Sequence, residues 1–367
     1  MNSPSNHPIL SAKFADAVMA ATGPFHDDGH AVFVYRGEAE SVSLVTWMPG
    51  FPAPPPFTRV GADTWFLRIP LPATARIEYR LAVIKAGRVN EIDDPLNPPR
   101  AANPFGRNSV LEGPRYQPAV FPTGSPGEIA EIRVPSAALG GRRHHHVYLP
   151  AGFRAHRPYP FLLVHDGSDF LRYTDLGPAL DGLIAAGQIP PVVAVLLQPW
   201  DRIREYGANP DHSGHLLVEV VPHVTRRLRL PPPTGIAAMG SSLGGVAALA
   251  AAWHFPGSIT AVGALSGSFA HRMDEEWPEP VFNPIVDFVE RMTTEPGPPR
   301  LTVFQSVGRY EGLCDFNRHL APILRGGGAR VTYLETWDGH DWGSWRDRLG
   351  HCLSVVLASP SPADFEG

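Results

Sequence analysis

The sequence predicts a mostly parallel α/β domain that follows a small antiparallel β-sandwich, and two patterns indicate this architecture. Up to about residue 120, short runs rich in Val, Trp, Phe and Ile are separated by Gly/Pro clusters, as in small sandwiches. From about residue 128, short apolar runs alternate with helix-like segments, which is typical of a sheet covered on both faces. We therefore expect a β domain at residues 1–120 and an α/β domain at residues 128–367.

Each domain has its own series of predicted elements. In the first, partly alternating apolar residues predict strands at 31–35, 41–48, 64–69 and 76–84. In the second, a hairpin at 132–135 and 145–150 precedes predicted strands at 161–164, 192–197, 236–239, 261–265, 301–306 and 330–336. Helices are predicted at 176–186, 216–227, 245–253, 284–291, 316–326 and 345–358. The proline-rich residues 93–106 and the linker-like residues 113–127 are expected to be irregular.

The composition excludes several classes of protein. With 367 residues, 43% of them hydrophobic, the chain is long enough to bury a large core. Its net charge is -5 and its longest basic runs are pairs of arginines, so no nucleic-acid partner is expected. The two cysteines, Cys314 and Cys352, form no CxxC pair, which argues against zinc and iron–sulfur sites and favours two free thiols over a disulfide. No cofactor or metal is predicted.

The N-terminal segment gives no targeting signal. It lacks a charged region followed by an apolar one, and no run of eighteen apolar residues occurs in the chain. A cytoplasmic protein that does not enter a membrane is therefore the expectation.

The strongest chemical signal is Gly240-Ser241-Ser242-Leu243-Gly244, which fits the pattern G-x-S-x-G. It follows an apolar strand and opens a predicted helix, as a nucleophile elbow requires. The sharp turn would raise the Ser242 hydroxyl above the sheet, next to a helix N-terminus that favours a developing oxyanion. A helix cap of Ser and Gly is the alternative, which the strand and helix around the motif disfavour. We predict an α/β-hydrolase fold with Ser242 as nucleophile.

The general base is expected after the nucleophile in the chain, and His340 has the expected position. It lies in a loop after the last predicted strand and before a C-terminal helix. The histidines at 254 and 271 are too close to the nucleophile in sequence, and those at 319 and 351 lie within predicted helices. As base, His340 would take the proton of Ser242 and return it to the leaving alcohol.

The acid is expected after the strand predicted at 301–306, where Glu311 and Asp315 both lie. Either carboxylate would fix the tautomer of the imidazole. We favour Glu311, with Asp315 and a Ser/His dyad left open. The oxyanion hole needs two backbone N–H groups, expected from Leu243 and from Ser168 in the loop after residues 161–164. A catalytic or metal role for His165 and Asp166 in that loop is the less favoured alternative.

Two further groups of side chains have ordinary interpretations. The run His144-His145-His146 lies on a strand, where alternate side chains point to opposite faces. We therefore prefer a solvated strand edge to a metal site. Aromatic residues usually belong to the core, but those in loops beside the predicted site are interpreted as walls of the substrate pocket. They are Trp200, Phe269 and Trp342.

These residues resemble the enterochelin (enterobactin) esterase family, within the wider esterase D group. The resemblance covers most of the chain and includes the elbow, its continuation at 254–269, and Asp166-Gly167 at a strand end. The family elements R-x-x-E-[LY]-x-x-N and G-x-x-E match residues 202–209 and 308–311. Its G-G-H-D-x-x-x-W-R signature matches Gly339 to Arg346, with Asp338 in place of the first glycine. The N-terminal part is similar to the early-set immunoglobulin-like domain found in front of such esterases.

The resemblance implies hydrolysis of carboxylic esters, in the best-known members those of catecholate siderophore trilactones, whereas related proteins act on aromatic acyl and other simple esters. It further implies that Arg202 orients an anionic or catecholate group and that Glu205 holds that loop, with a structural ion pair as the alternative. The expected partner is a small-molecule ester, and a homodimer is left open. An acyltransferase with the same site, or a non-catalytic module that binds carbohydrate or a partner, are the competing functions.

Overall fold

A computed structural model describes residues 11–46, 56–272, 282–295, 297–298 and 300–358. The chain divides into two compact units. The first comprises residues 1–117 and 337–339, and the second comprises residues 118–336 and 340–367. Compactness does not test independent folding, so the domain limits of 1–120 and 128–367 stay a prediction.

The first unit contains one helix and nine strands among its described residues. They are α1 (Ala12–Ala20), β1 (Phe25–Asp27), β2 (His30–Arg36), β3 (Ser41–Val45), β4 (Thr58–Arg59), β5 (Thr64–Pro70), β6 (Arg76–Lys85), β7 (Arg88–Ile92), β8 (Ala101–Asn103) and β9 (Gly106–Glu112). The strands form two antiparallel sheets, in the orders β1-β2-β5-β4 and β3-β6-β9-β8, with β7 paired to β6. The rings of Phe33 and Tyr79, one from each sheet, meet edge to face at 4.8 Å.

This unit has the two antiparallel sheets that its sequence predicts. The four predicted strands are β2, β3, β5 and β6, although residues 47 and 48 of the second prediction lie outside the described residues. Strand β7 was not predicted because four of its five residues are exposed and show no apolar alternation.

The second unit alternates strands and helices. Its strands are β10 (Glu128–Pro135), β11 (Arg142–Leu149), β12 (Phe161–Val164), β13 (Val193–Leu196), β14 (Ile236–Ser241), β15 (Ala261–Leu265), β16 (Thr302–Gly308) and β17 (Arg330–Thr336). Its helices are α2 (Gly167–Tyr173), α3 (Leu176–Ala185), α4 (Arg202–Tyr206), α5 (Pro210–Gly214), α6 (Val221–Arg227), α7 (Leu243–His254), α8 (Asn283–Thr294), α9 (Cys314–Gly326) and α10 (Trp342–Val356). A π-helical turn, His215–Val220, precedes α6. Every helix in the described part of the chain is too short or too polar to cross a lipid bilayer.

The eight strands form one sheet in the order β10-β11-β13-β12-β14-β15-β16-β17. Strands β12 to β17 run parallel to one another, whereas β11 runs antiparallel to both of its neighbours, β10 and β13. Successive residues of a strand point to opposite faces, so Phe161 and Leu163 enter one hydrophobic core while Leu162 and Val164 enter the other. Burial on both faces explains why the central strands consist of uninterrupted apolar residues.

The parallel arrangement positions the functional site. The carboxyl ends of β12, β14, β15 and β16 meet at one edge of the sheet, where ligands bind in open α/β folds. The residues that follow these four strands include Asp166, Ser242, Ser266 and Glu311. Residues from distant parts of the sequence therefore converge on one edge.

Candidate active site

Ser242 lies in a tight turn between β14 and α7, and its backbone is strained. Its φ is 55° and its ψ is -124°, a combination that costs a residue other than glycine about 1–3 kcal/mol. The Ser242 N–H donates to the Leu265 carbonyl at 2.9 Å, which ties the turn to β15. The turn also requires glycine at position 240, because a Cβ there would lie 2.5 Å from the carbonyl carbon of Gly244. The local sequence thus builds the elbow that the motif predicts.

His340 and Glu311 form a buried pair. Nδ1 of His340 lies 2.5 Å from Oε2 of Glu311. A carboxylate accepts hydrogen bonds, so Nδ1 carries the hydrogen and Nε2 is left as the acceptor of the ring. The other oxygen of Glu311 accepts from the Ser266 hydroxyl and from the Gly308 N–H, each at 2.6 Å. Sequence analysis missed Ser266, whose only signal is its position after β15.

Asp315, the alternative acid, lies elsewhere. Its side chain is 72% exposed and pairs with Arg318 on the surface of α9 at 3.1 Å. The structure therefore brings Glu311, and not Asp315, to the imidazole.

The Ser242 hydroxyl has a serine neighbour. Its Oγ lies 3.1 Å from Oγ of Ser268, a residue that sequence analysis did not single out. No hydrogen bond joins Ser242 to His340 within the described ranges. Catalytic hydrogen bonds often form only when substrate is bound.

The backbone N–H groups of Leu243 and Ser168 have no acceptor among the described residues. Leu243 is the first residue of α7, where N–H groups have no partner within the helix. At the start of α2, the N–H groups of Gly167, Asp169 and Phe170 donate to backbone carbonyls. That of Ser168 has no acceptor within the described ranges. Both N–H groups are thus available as donors, and their role in an oxyanion hole stays a prediction.

Arg202 is bound to the short segment between β12 and α2. Its Nε and Nη2 contact both oxygens of Asp166 at 2.8–3.1 Å. Its Nη2 also lies 3.4 Å from the carbonyl oxygen of Ser241, beside the nucleophile. Asp166 is buried, whereas the Arg202 side chain keeps 40% of its surface exposed. This ion pair links the loop after β12 to the elbow, and Asp166 acts here as a partner of Arg202.

Glu205 holds the neighbouring loop. Its Oε1 accepts from Nη1 of Arg143 at 2.8 Å and from the N–H groups of Trp200 and Asp201 at 3.0 and 3.1 Å. The guanidinium of Arg143 lies 4.0 Å from the centre of the Trp200 ring, whose residue is 62% exposed. Arg202 and Glu205 thus belong to two separate ion pairs. Trp200 is a fixed aromatic side chain with accessible surface.

The other two predicted pocket residues differ from each other. Trp342 is partly buried and packs against the rings of Phe170, Tyr173 and Trp345. Phe269 is fully buried in the core, so its predicted place in a pocket wall is corrected. Its ring lies directly against Gly267, where a Cβ would be only 2.1 Å from it.

The prediction that His144-His145-His146 lies on a solvated strand edge is also wrong, because β11 is not an edge strand. His144 is exposed and pairs with Glu131, but His145 is buried and its Nε2 lies 3.2 Å from Nε2 of His215. A second buried pair joins Nε2 of His165 to Nε2 of His212 at 3.1 Å. In the described residues, no three His, Cys, Asp or Glu side chains are arranged to hold a metal ion.

Burial keeps these histidines neutral. It lowers the pKa of His145 to about 3 and that of His165 to about 4, and it lowers the pKa of His212 well below its usual value. At neutral pH these uncharged rings therefore pack as core side chains.

The fold and the elbow define this protein as an α/β-hydrolase. The family model described as putative esterase matches residues 136–353. The chain belongs to this esterase family. The predicted resemblance, fold class and class of carboxylic-ester hydrolase are thereby confirmed.

Individual relatives agree with this assignment. The iron(III) enterobactin esterase of Dickeya dadantii is 31% identical over 220 residues, which are 55% of this chain and 49% of the relative. This chain thus matches about half the length of that curated relative. A ferric enterobactin esterase structure from Salmonella typhimurium has a TM-score of 0.71 at 22% identity, over 92% of this chain and 97% of the other. The Shigella flexneri enterobactin esterase has a TM-score of 0.69 at 21% identity, over 95% and 99%, and both likenesses show a shared fold.

Proposed function

We propose that this protein hydrolyses carboxylic esters through an acyl-enzyme, with Ser242 as nucleophile, His340 as general base and Glu311 as the acid. The single observation that carries the proposal is the buried contact of 2.5 Å between His340 and Glu311, at the sheet edge that also carries the strained turn of Ser242. That contact fixes the tautomer that leaves Nε2 free to accept a proton.

The first step forms the acyl-enzyme. The Ser242 oxygen attacks the ester carbonyl while its proton moves to Nε2 of His340. Glu311 stabilises the imidazolium that results. The N–H groups of Leu243 and Ser168 would hold the oxyanion. His340 then gives the proton to the alcohol, which leaves, and water repeats the sequence to release the acid.

The proposed substrates are siderophore trilactones or aromatic acyl esters. This choice rests on the relative named iron(III) enterobactin esterase and on two residues that follow β13, Trp200 and Arg202. Trp200 offers an exposed aromatic ring, and Arg202 stays partly exposed while paired with Asp166, so it is available to an anionic group. We keep a cytoplasmic location as part of the proposal, in accord with the two free, buried cysteines.

A labelling and turnover experiment tests the proposal. Ser242→Ala is compared with Ser258→Ala, which changes an exposed serine after α7. A fluorophosphonate should modify the wild type and Ser258→Ala but not Ser242→Ala, and mass spectrometry should locate the adduct on Ser242. Hydrolysis of p-nitrophenyl esters should fall by several powers of ten in Ser242→Ala alone. Turnover retained by Ser242→Ala would rule out the mechanism. If simple esters were cleaved but a ferric catecholate trilactone stayed intact, the siderophore substrate would be refuted and the esterase mechanism would stand.

A further inference from the structure

We propose that Ser268 is a positioning residue whose hydroxyl donates a hydrogen bond to the oxygen of Ser242. The inference rests on the proposed function, since it concerns the nucleophile of that site. It assigns a role to a side chain that lies within hydrogen-bond distance of the Ser242 hydroxyl.

Two contacts connect the residues. The hydroxyl oxygens are 3.1 Å apart, and the Ser268 N–H donates to the Ser242 carbonyl at 3.1 Å. The backbone contact holds Ser268 at a fixed place relative to the elbow, and the side-chain contact then falls within hydrogen-bond distance.

The segment that carries Ser268 is rigid. Nδ2 of the fully buried Asn317 donates to the Gly267 carbonyl at 2.8 Å. On the other side, the ring of Phe269 is buried against Gly267. Ser268 is partly accessible between these buried neighbours. A hydroxyl held in this way loses little entropy when it forms a hydrogen bond.

The tautomer of His340 decides the direction of the hydrogen bond. Nδ1 donates to Glu311, so Nε2 is the acceptor for the proton of Ser242. When the hydroxyl hydrogen of Ser242 points to His340, the Ser242 oxygen has no hydrogen to donate to Ser268. It therefore accepts a hydrogen bond from the Ser268 hydroxyl. As the proton moves to Nε2, negative charge grows on the Ser242 oxygen, and a donor to that oxygen becomes stronger. Ser268 keeps its own proton throughout.

Three variants test the role: Ser268→Ala, Ser268→Thr, which keeps the hydroxyl, and the surface control Ser258→Ala. The readouts are kcat and KM for p-nitrophenyl esters, the rate of fluorophosphonate labelling, the pH profile of kcat/KM and the urea midpoint. Ser268→Ala should lower kcat and the labelling rate about 10–100-fold, the effect of one hydrogen bond to a charged group. KM, the urea midpoint and the acid limb of the pH profile should stay unchanged. Ser268→Thr should recover most of the rate.

Three outcomes would overturn the inference. A Ser268→Ala enzyme as fast as the wild type would mean that the hydroxyl contributes nothing, and a faster one would mean that Ser268 draws the proton of Ser242 away from His340. A slower enzyme with a shifted acid limb or lowered urea midpoint, not recovered by Ser268→Thr, would mean that the role is only structural. Ser242→Ala separates the two proposals, because labelling retained in that variant would refute the esterase mechanism itself.

Discussion

Nδ1 of His340 lies 2.5 Å from Oε2 of Glu311, and the two residues come from loops after different strands, β17 and β16. Both are buried, so water does not compete for this hydrogen bond. The Ser266 hydroxyl and the Gly308 N–H hold the other carboxylate oxygen. With one oxygen fixed in this way, the carboxylate meets the imidazole in a single orientation.

The first prediction concerns Glu311→Gln, which keeps the shape of the side chain but removes its charge. An amide oxygen would still accept from Ser266 and Gly308, so the amide NH₂ would face His340. The imidazole would then be driven to the tautomer with hydrogen on Nε2, which cannot take the proton of Ser242. We expect kcat to fall about 10³–10⁴-fold, measured with p-nitrophenyl esters at neutral pH.

Asp315→Asn is the matched control, because it makes the same change on the exposed carboxylate of α9. It should leave kcat at the wild-type value. An equal loss of kcat in Glu311→Gln and Asp315→Asn would contradict the assignment of Glu311 as the acid.

The parts of the fold that the sequence predicts best are those with strong local patterns. The limits predicted for β12, β15 and β17 agree with the structure because each is a short run bounded by turn residues. The helices α2, α4 and α5 were missed because seven or fewer residues do not give a helical period. The elbow was found because its motif, its strand and its helix are all local.

What depends on strand order could not be predicted. His145 was expected at a solvated edge, but β11 lies between β10 and β13, an arrangement that no local pattern encodes. Ser266 and Ser268 reach Glu311 and Ser242 only because β15 is adjacent to β14 and β16 in the sheet. The choice between Glu311 and Asp315 likewise needed the position of α9, because both follow the same strand.

The second prediction concerns the elbow glycine. In Gly240→Ala the new Cβ would meet the Gly244 carbonyl carbon at 2.5 Å, and backbone cannot move aside as a flexible side chain does. We expect the free energy of unfolding to fall by about 1–3 kcal/mol, with a lower urea midpoint. Activity should fall as well, because relief of the clash would move Ser242.

Gly326→Ala provides the comparison for this substitution. Gly326 ends α9, and a Cβ there meets no atom within 4 Å. The same added methyl group should therefore leave activity unchanged and raise stability by about 0.5–1 kcal/mol. A Gly240→Ala protein as stable as Gly326→Ala would contradict the requirement for glycine in the turn.

The buried histidines form a directed chain of hydrogen bonds. The Gln198 N–H donates to Nδ1 of His145, so Nε2 of that ring carries the hydrogen and donates to Nε2 of His215. Nδ1 of His215 then donates to Oε2 of Glu219 at 2.6 Å. Because Nδ1 of His145 already accepts a hydrogen bond, an added proton would break the first link. Arg143 and His215 near His145 also oppose a positive charge there.

The third prediction is a loss of stability in mild acid. Burial lowers the pKa of His145 to about 3, whereas in the unfolded chain it is about 6.5. Between these values the unfolded state binds more protons, so the stabilisation is complete above pH 6.5 and is lost as the pH falls towards 3. For each such histidine, the free energy of unfolding should be about 2 kcal/mol lower at pH 5 than at pH 8. The measurement is the urea midpoint between pH 8 and pH 5.

Two neighbouring substitutions assign the effect to burial. His145→Gln keeps an N–H donor towards His215 but cannot gain a proton, so its urea midpoint should depend less on pH than that of the wild type. His144→Gln should keep the wild-type dependence, because its imidazole stays in contact with solvent. The carboxylates of Glu219 and Glu335, whose pKa values are lowered to about 2, lose their contribution only below about pH 4.5, so they do not act in this range. Equal pH dependence in His145→Gln and the wild type would show that His145 is already able to take a proton in the folded protein.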